Sequence, residues 1–356
     1  MFNRFLIING RIWTGTGFTS GNVLVEKDTV VSLDAPADTE ADFVYDAEGR
    51  IVSTGLLDIH THLYKVSTDV FGFPAELCCA PFGATATVDG GAEFSDKAFL
   101  DTMMVKARVF TITDITENGM DFTRTEQVLA AYGDAAIGIK MYYDARGNKA
   151  VTLAHLQEVC AFARAHGVKV MVHCNHSPTS MFSIVETLSA GDILTHIYHG
   201  DENPITADGF AAYKLAKEKG IILDTGNAGR VHTDFAVLRE AITGGYLPDT
   251  ISSDLTCGSV FNRGGRYGLT LCMSMQRTAG MTEEQVLRAV THDAAKAVGM
   301  EKECGTLCVG RKADIAVLGY EHDPFSFTDA AGNTLSDENG YVCYLTVANG
   351  QILYRR

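Results

Sequence analysis

Residues 51–64 read Ile-Val-Ser-Thr-Gly-Leu-Leu-Asp-Ile-His-Thr-His-Leu-Tyr. An apolar run rich in β-branched residues predicts a buried strand. Side chains alternate along a strand, so His60 and His62 project from the same face. Two imidazoles side by side at a strand end provide half of a metal site. Two unrelated histidines would fit the same pattern, so the rest of the chain must decide between the two interpretations.

The composition limits the kind of protein. The chain has 356 residues, of which 46% are hydrophobic and 21% charged, enough for a barrel of about 250 residues and a small second domain. A formal net charge of −15, without clustered Lys and Arg, argues against nucleic-acid binding. The sequence has neither an apolar stretch of about 18 residues nor a signal-peptide pattern. We therefore expect no membrane span and a cytoplasmic location.

Nine cysteines are scattered along the chain without zinc-finger spacing. Cys304 and Cys308 are four residues apart, but Gly305 and Gly310 favour a turn into a strand there. We expect reduced, mostly buried thiols and no structural disulfide.

Short alternating runs occur at both ends of the chain. The first 50 residues carry four candidate strands, at 5–8, 11–13, 22–26 and 30–33. The far end carries three more, at 313–318, 341–347 and 351–354, and Asn349-Gly350 is a strong hairpin turn. We predict that residues 1–50 and 305–356 together build one small β-sandwich domain.

Between the ends, strand patterns alternate with helix patterns. Eight candidate strands lie at 51–59, 84–88, 108–112, 136–141, 168–173, 192–197, 220–224 and 250–253, and amphipathic stretches lie at 153–166, 207–219 and 282–298. This alternation predicts a distorted parallel (β/α)8 barrel over residues 51–304. In such a barrel the active site lies at the C-terminal ends of the strands.

Polar residues stand at the ends of five predicted strands: His60 and His62, Lys140, His173, His196, and Asp254. Each has an ordinary explanation when taken alone, such as a solvated lysine, a hydrogen-bonded core histidine or a helix N-cap. Their coincidence at the expected places predicts a shared metal site.

These residues resemble the motifs of the amidohydrolase superfamily, and the resemblance covers nearly the whole chain. The matching segments are GLLDIHTH at 55–62, GIK at 138–140, VH at 172–173, LTH at 194–196, SSD at 252–254, THDAAK at 291–296 and GTLCVGRKAD at 305–314. Residues 191–196 and 245–254 are similar in particular to the deacetylase branch, which is often labelled dihydroorotase-like.

The resemblance implies a binuclear metal centre. His60 and His62 would hold one divalent ion, His173 and His196 the other, and Lys140, carboxylated by carbon dioxide, would bridge them. Such ligands suit zinc, with manganese, iron and cobalt as alternatives.

The resemblance also gives Asp254 two roles. It would ligate the first ion and act as the catalytic residue. It would take the proton of the hydroxide that attacks the carbonyl and pass it to the leaving group.

Six loop residues are candidates for substrate binding, although each also fits an ordinary surface role. Asn227, Arg230 and His232 follow the seventh strand. Arg263 and Arg266 follow the eighth and could bind a carboxylate. Tyr143, just past Lys140, could cover the site.

The expected activity is hydrolysis of a small N-acyl or O-acyl compound, in the manner of a deacetylase acting on a non-peptide carbon–nitrogen bond. A cyclic amidase of the hydantoinase or dihydroorotase kind shares all six residues and stays open. Dihydroorotate itself is disfavoured, because Tyr64 occupies the place where dihydroorotases characteristically carry an arginine.

Two further alternatives are weaker. A mononuclear deaminase does not use a bridging lysine, and an inactive scaffold would have lost ligands that this chain retains. A homo-oligomer is expected because symmetric oligomers are common.

Overall fold

The strands of the protein fall into three runs along the chain. The structure is a computed structural model, and it describes residues 2–68, 71–94, 97–116, 119–228, 231–261 and 266–356. The first run is β1 (Arg4–Ile8), β2 (Arg11–Trp13), β3 (Phe18–Thr19), β4 (Val23–Glu26), β5 (Thr29–Ser32), β6 (Phe43–Asp46) and β7 (Ile51–Thr54). The second is β8 (Leu56–Thr61), β9 (Ala84–Ala92), β10 (Lys106–Ile112), β11 (Asp114–Thr116), β12 (Gly119–Asp121), β13 (Ala136–Tyr142), β14 (Lys169–His173), β15 (Ile193–Thr195) and β16 (Ile222–Asp224). The third is β17 (Ile315–Thr328), β18 (Thr334–Ala348) and β19 (Gln351–Arg355).

The helices lie mainly between the strands of the second run and after them. They are α1 (Ala75–Cys79), α2 (Thr123–Tyr132), α3 (Leu153–His166), α4 (Met181–Thr187), α5 (Ala207–Lys219), α6 (Phe235–Thr243), α7 (Cys257–Phe261), α8 (Leu269–Ala279), α9 (Glu283–Ala289) and α10 (His292–Ala297). Short 3-10 helices cover Ala80–Phe82, Lys97–Thr102 and Gly133–Ala135. The longest helix, α3, has 14 residues, whereas a membrane span needs about 20. Over the described ranges no helix qualifies as a membrane span.

Seven parallel strands form the barrel wall, in the order β8-β9-β10-β13-β14-β15-β16. Residues 250–255 span the space between β16 and β8. They form one β-bridge with each edge, Asp224 with Thr250 and Thr61 with Leu255, and further backbone hydrogen bonds join them to both sides. The predicted barrel is present, but its eighth strand is an extended segment rather than a strand. Within this segment Asp254 has a φ of +49°, which lies outside the β region and interrupts the extended conformation.

The predicted strand at 51–59 is two strands that belong to different sheets. β7 pairs with β2 and β17 in the sheet β19-β18-β17-β7-β2-β3, whereas β8 opens the barrel. A second sheet, β5-β4-β1-β6, completes the layers formed by the chain ends. Residues 51–54 therefore pair with the terminal strands, and the passage into the barrel lies at Gly55. A side chain there would collide with Thr85, since a Cβ would lie 2.1 Å from its Oγ1.

The C-terminal strands are much longer than predicted. β17 and β18 pair along their whole length, out to Thr328 opposite Thr334, where the sequence predicts only residues 313–318 and 341–347. The outer half of this hairpin leaves the terminal sheet and reaches the barrel.

The predicted helices at 153–166 and 207–219 are present as α3 and α5, whereas the one at 282–298 is broken between α9 and α10. At the break, Thr291 has a φ of −130° and a ψ of −100°. Its hydroxyl donates to the carbonyl of Leu287 and accepts from the indole of Trp13 at 3.1 Å. All nine cysteines are free thiols.

We expect Gly55→Ala to destabilise the protein, because Thr85 is fully buried and cannot move aside for the new methyl group. Overpacking of this kind costs about 1–3 kcal/mol. The measurement is the thermal unfolding midpoint. Gly17→Ala is the control, since a Cβ at Gly17 meets nothing within 4 Å. Equal midpoints for the two variants would contradict the close packing at Gly55.

Candidate metal centre

Six polar side chains from five segments meet at the C-terminal mouth of the barrel. They are the residues predicted from the sequence as metal ligands, and each is at most 7% exposed: His60, His62, Lys140, His173, His196 and Asp254. They line one cavity of about 830 Å³. The parallel sheet brings them together, because the carboxyl ends of all its strands lie at the same end of the barrel.

His60, His62 and Asp254 form the first group of ligand-type atoms. The Oδ1 atom of Asp254 lies 3.0 Å from Nε2 of His62 and 3.4 Å from Nε2 of His60. Lys140 adjoins this group, with its Nζ 2.8 Å from His60 Nε2. Two imidazoles and a carboxylate oxygen facing one point are a suitable ligand set for a divalent cation.

His173, His196 and His232 form the second group. The ring centroids of His173 and His196 are 4.6 Å apart, and those of His196 and His232 are 4.2 Å apart. His232 also approaches the first group, since its Nε2 lies 3.6 Å from Asp254 Oδ2. The two groups therefore offer neighbouring places for cations in one cavity.

Hydrogen bonds behind the imidazoles fix their orientation. His60 Nδ1 lies 3.2 Å from the Thr195 hydroxyl, His62 Nδ1 lies 3.2 Å from the Ser67 hydroxyl, and His196 Nδ1 donates to the Gly226 carbonyl at 2.7 Å. Each ring thus keeps its Nε2 for the cavity, as metal-binding histidines do.

Two further imidazoles each keep a ring nitrogen without a partner. Nε2 of His173 and Nδ1 of His232 are buried and have no hydrogen-bond partner. Buried polar atoms are normally bonded, so a metal ligand role would account for these nitrogens.

Burial sets the protonation states of the site. It lowers the pKa of His60, His173 and His196 well below the usual value, and neighbouring cationic groups lower it further. Burial raises the pKa of Asp254, but the imidazoles of His60 and His62 outweigh that effect and hold it well below the usual range. Neutral imidazoles and an ionised carboxylate are the forms that bind metal ions.

Lys140 is the one lysine that lines the cavity among the described residues, and it is 1% exposed. Burial lowers its pKa to about 8, although the carboxylates of Asp254 and Asp224 oppose the shift. A substantial fraction of the amine is therefore neutral near that pH, and a neutral amine is a nucleophile.

Two buried carboxylates support the segment that spans the barrel gap. Asp224 accepts hydrogen bonds from the hydroxyls of Thr195, Thr250 and Ser252, each at 2.7 Å. Asp58 accepts the backbone N–H of Ser253 at 3.0 Å. Burial raises the pKa of Asp58 to about 7, against the hydrogen bonds from Ser253. These contacts place Asp254 at the cavity.

Two of the ligand-type residues have strained backbones. His196 has a φ of +68° and Asp254 a φ of +49°, a region that costs residues other than glycine about 1–2 kcal/mol. Asp254 is held there because its N–H donates to the His60 carbonyl at 2.7 Å, while the N–H of His62 donates to the Leu255 carbonyl at 2.9 Å.

Comparison with known proteins bears on the identity of this site. The sequence profile described as the amidohydrolase family matches residues 51–353. The chain belongs to the amidohydrolase family. It is a hydrolase that acts on carbon–nitrogen bonds, and the resemblance found in its motifs is confirmed.

Two relatives of this amidohydrolase are named deacetylases. One, from Brucella anthropi, is 30% identical over 343 residues, which cover 88% of this chain and 82% of that protein. The other, from Agrobacterium fabrum, is 29% identical over 350 residues, with 90% and 83% covered. A crystal structure of a dihydroorotase superposes with a TM-score of 0.85 at 22% identity, covering 99% of this chain and 98% of that one. The last likeness confirms the fold class.

Tyr143 does not cover the site of the amidohydrolase, contrary to the prediction. It is buried, and its hydroxyl lies 3.1 Å from that of Thr179. Tyr142 lines the cavity instead. Alternation along β13 explains the difference, because Lys140 and Tyr142 share a face and Tyr143 does not.

Two other substrate candidates also lie away from the cavity. Asn227 is buried and holds its own loop, donating to the Ser252 carbonyl at 3.1 Å. Arg266 forms an exposed ion pair with Asp323 at 2.7 Å. Arg230 and Arg263 lie outside the described residues. Of the four candidates that the structure describes, His232 is the one that lies at the cavity.

Ten uncharged cavity residues were missed in the sequence, and all but three of them belong to loops or to the β17–β18 hairpin. They are Phe71, Tyr142, Ala228, Val231, Thr256, Gly258, Ser259, Ser326, Phe327 and Thr328. Alternation would have found Tyr142. The others carry no local signal, since loop conformation and the long hairpin bring them there.

We expect Asp224→Asn to lower the thermal unfolding midpoint, because an amide NH₂ would face hydroxyls that now donate to a carboxylate. The loss of charge-assisted hydrogen bonds should lower the free energy of unfolding by about 1–3 kcal/mol. Asp249→Asn is the control, since Asp249 also accepts a backbone N–H but is partly exposed. An Asp224→Asn protein as stable as this control would show that the hydroxyl cluster does not depend on the carboxylate.

Proposed function

We propose that this amidohydrolase is a binuclear metal-dependent deacetylase acting on a small N-acyl or O-acyl compound. The observation that carries the proposal is the convergence of two ligand groups on one buried cavity with Lys140 beside them. The relatives named deacetylases support the reaction type.

In this proposal His60, His62 and Asp254 hold one divalent ion, and His173 and His196 hold a second. The donor set suits zinc. When bound, the ions would lower the pKa of a water molecule and polarise the scissile carbonyl. His232, the third imidazole of the second group, is available to bind the second ion or the substrate.

Lys140 is proposed to react with carbon dioxide. Its neutral Nζ attacks the carbon atom, the nitrogen loses a proton to solvent, and a carbamate anion results. The chemical reason is charge: a buried ammonium would repel two cations, whereas a carbamate would offer them two oxygens that share one negative charge. The short distance from Nζ to His60 Nε2, 2.8 Å, supports this position for the bridge.

Asp254 is proposed to move the proton. Its carboxylate is ionised and faces the cavity, so it can accept a proton from the attacking water. It then returns the proton to the leaving nitrogen or oxygen, which departs as a neutral amine or alcohol.

A cyclic amidase is the second candidate, because the dihydroorotase fold superposes closely. Tyr64, in place of the arginine expected of dihydroorotases, stands against dihydroorotate. Assays of N-acetyl amino acids alongside hydantoins and dihydropyrimidines separate the two activities. Deacetylation without ring opening would support the proposal, and the reverse result would replace it.

Lys140→Ala is expected to abolish turnover and to leave fewer than two zinc ions per chain after zinc loading, as measured by elemental analysis. A short carboxylic acid added in excess should restore part of the activity, because its two oxygens can replace those of the carbamate. Lys149→Ala is the matched control, since Lys149 is exposed in the loop after the same strand. Full zinc content and a normal rate for Lys140→Ala would refute the bridge.

Asp254→Asn is expected to reduce kcat/KM by about 10²- to 10⁴-fold, because an amide cannot accept the proton. Asp323→Asn, at the surface beside Arg266, should leave the rate unchanged. Steady-state kinetics on an acyl substrate make the comparison. A rate near that of the parent would exclude Asp254 as the proton carrier.

A further inference from the structure

Three separate segments contribute large apolar side chains to the lining of the cavity. Phe71 lies in the loop after β8, Val231 in the loop after β16, and Phe327 near the end of β17; all three line the cavity. Phe71 is 54% exposed and Val231 is 61% exposed, whereas Phe327 is 8% exposed and meets the cavity with a small part of its surface. Large apolar side chains left open in a concave site mark surface that a ligand covers.

We call Phe71, Val231 and Phe327 the apolar wall, and two of the three lie close to the proposed reaction centre. The Phe71 ring centroid is 6.1 Å from that of His62, and Val231 directly precedes His232. A substrate group that contacts the wall must therefore be attached within a few bonds of the scissile bond.

The wall is fixed in place by the backbone. The Phe71 carbonyl accepts the N–H of Cys257 at 2.9 Å. Beyond Phe327, the buried Asp329 accepts the N–H of Phe235, at the start of α6, at 2.7 Å. Arg239 of the same helix donates to the Thr334 carbonyl at 3.0 Å. The hairpin is thus tied to the barrel and forms a rigid boundary of the cavity.

We infer that the substrate carries a bulky apolar group, such as a phenyl ring, next to the acylated nitrogen or oxygen, and that Phe71 and Phe327 determine this preference. The inference rests on the proposed function and names its substrate class. A cavity of about 830 Å³ far exceeds what an acetyl group needs, so most of the contact lies with the rest of the substrate.

The test compares pairs of substrates that differ in one phenyl ring. N-acetylalanine is compared with N-acetylphenylalanine, and O-acetyllactate with O-acetylphenyllactate, on the zinc-loaded protein. We expect kcat/KM to be at least about tenfold higher for the phenyl members. Phe71→Ala and Phe327→Ala should each reduce this ratio about tenfold, mainly through the phenyl members.

Each variant has a matched control. Phe182→Ala removes an exposed ring from α4, and Phe325→Ala removes a buried neighbour of Phe327 on the same hairpin, with ring centroids 6.0 Å apart. Neither ring lines the cavity among the described residues. Both controls should keep the parent ratio. Phe327→Leu, which keeps apolar bulk, should retain part of the preference.

Calorimetric binding of the deacylated products separates this inference from the proposed function. Tighter binding of phenylalanine or phenyllactate than of alanine or lactate, weakened by Phe71→Ala, supports the wall even if no acyl compound is hydrolysed. If the protein hydrolyses acyl compounds without a phenyl preference, or if both variants keep the preference, the role of the apolar wall is refuted and the deacetylase proposal stands. If hydrolysis shows no phenyl preference and the phenyl products bind no more tightly than the others, the inference is wrong whether or not acyl compounds are hydrolysed.

Discussion

A buried amine among imidazoles is the constraint on which the site depends. Lys140 is almost fully buried, yet the atom nearest to its amine is Nε2 of the His60 imidazole, a side chain that carries no negative charge. Among the described residues that line the cavity, Asp254 is the one carboxylate. Two added cations would increase the excess of positive charge in the cavity unless the side chain of Lys140 became negative. The carbamate proposed above would make that change, and in that proposal the lysine and the metal pair depend on each other.

Three other buried carboxylates lie behind the residues that line the cavity. Asp58, Asp89 and Asp224 are buried at the ends of β8, β9 and β16, or close to them, and point to hydroxyls and backbone N–H groups rather than into the cavity. Asp89, for example, accepts the N–H of Leu63 at 2.6 Å. These carboxylates orient the loops, and the loops orient the histidines. The arrangement explains why the barrel can lack a regular eighth strand and still present Asp254.

The ligand residues could be predicted because their signal is local. The position of a histidine or lysine at the end of an apolar strand predicts both the face of the sheet and the end of the barrel on which it lies. The alternation of side chains along β13 would likewise have distinguished Tyr142 from Tyr143. The division at Gly55 could not be predicted in this way. Residues 51–54 and 56–61 look like one strand, and only pairing with distant residues, such as Val52 with Val317, assigns them to different sheets. The outer part of the β17–β18 hairpin is polar and irregular in sequence, so its contribution to the cavity depends on tertiary contacts.

The hairpin has a consequence for how the protein matures. Ribosomes make the metal-type residues between His60 and Asp254 well before residues 326–328, which close one side of the cavity. Until then the nascent barrel has an open flank, and β7 lacks its neighbour β17. The residues that the proposal assigns to ion binding are thus synthesised first, and those that complete the lining on the substrate side are synthesised last.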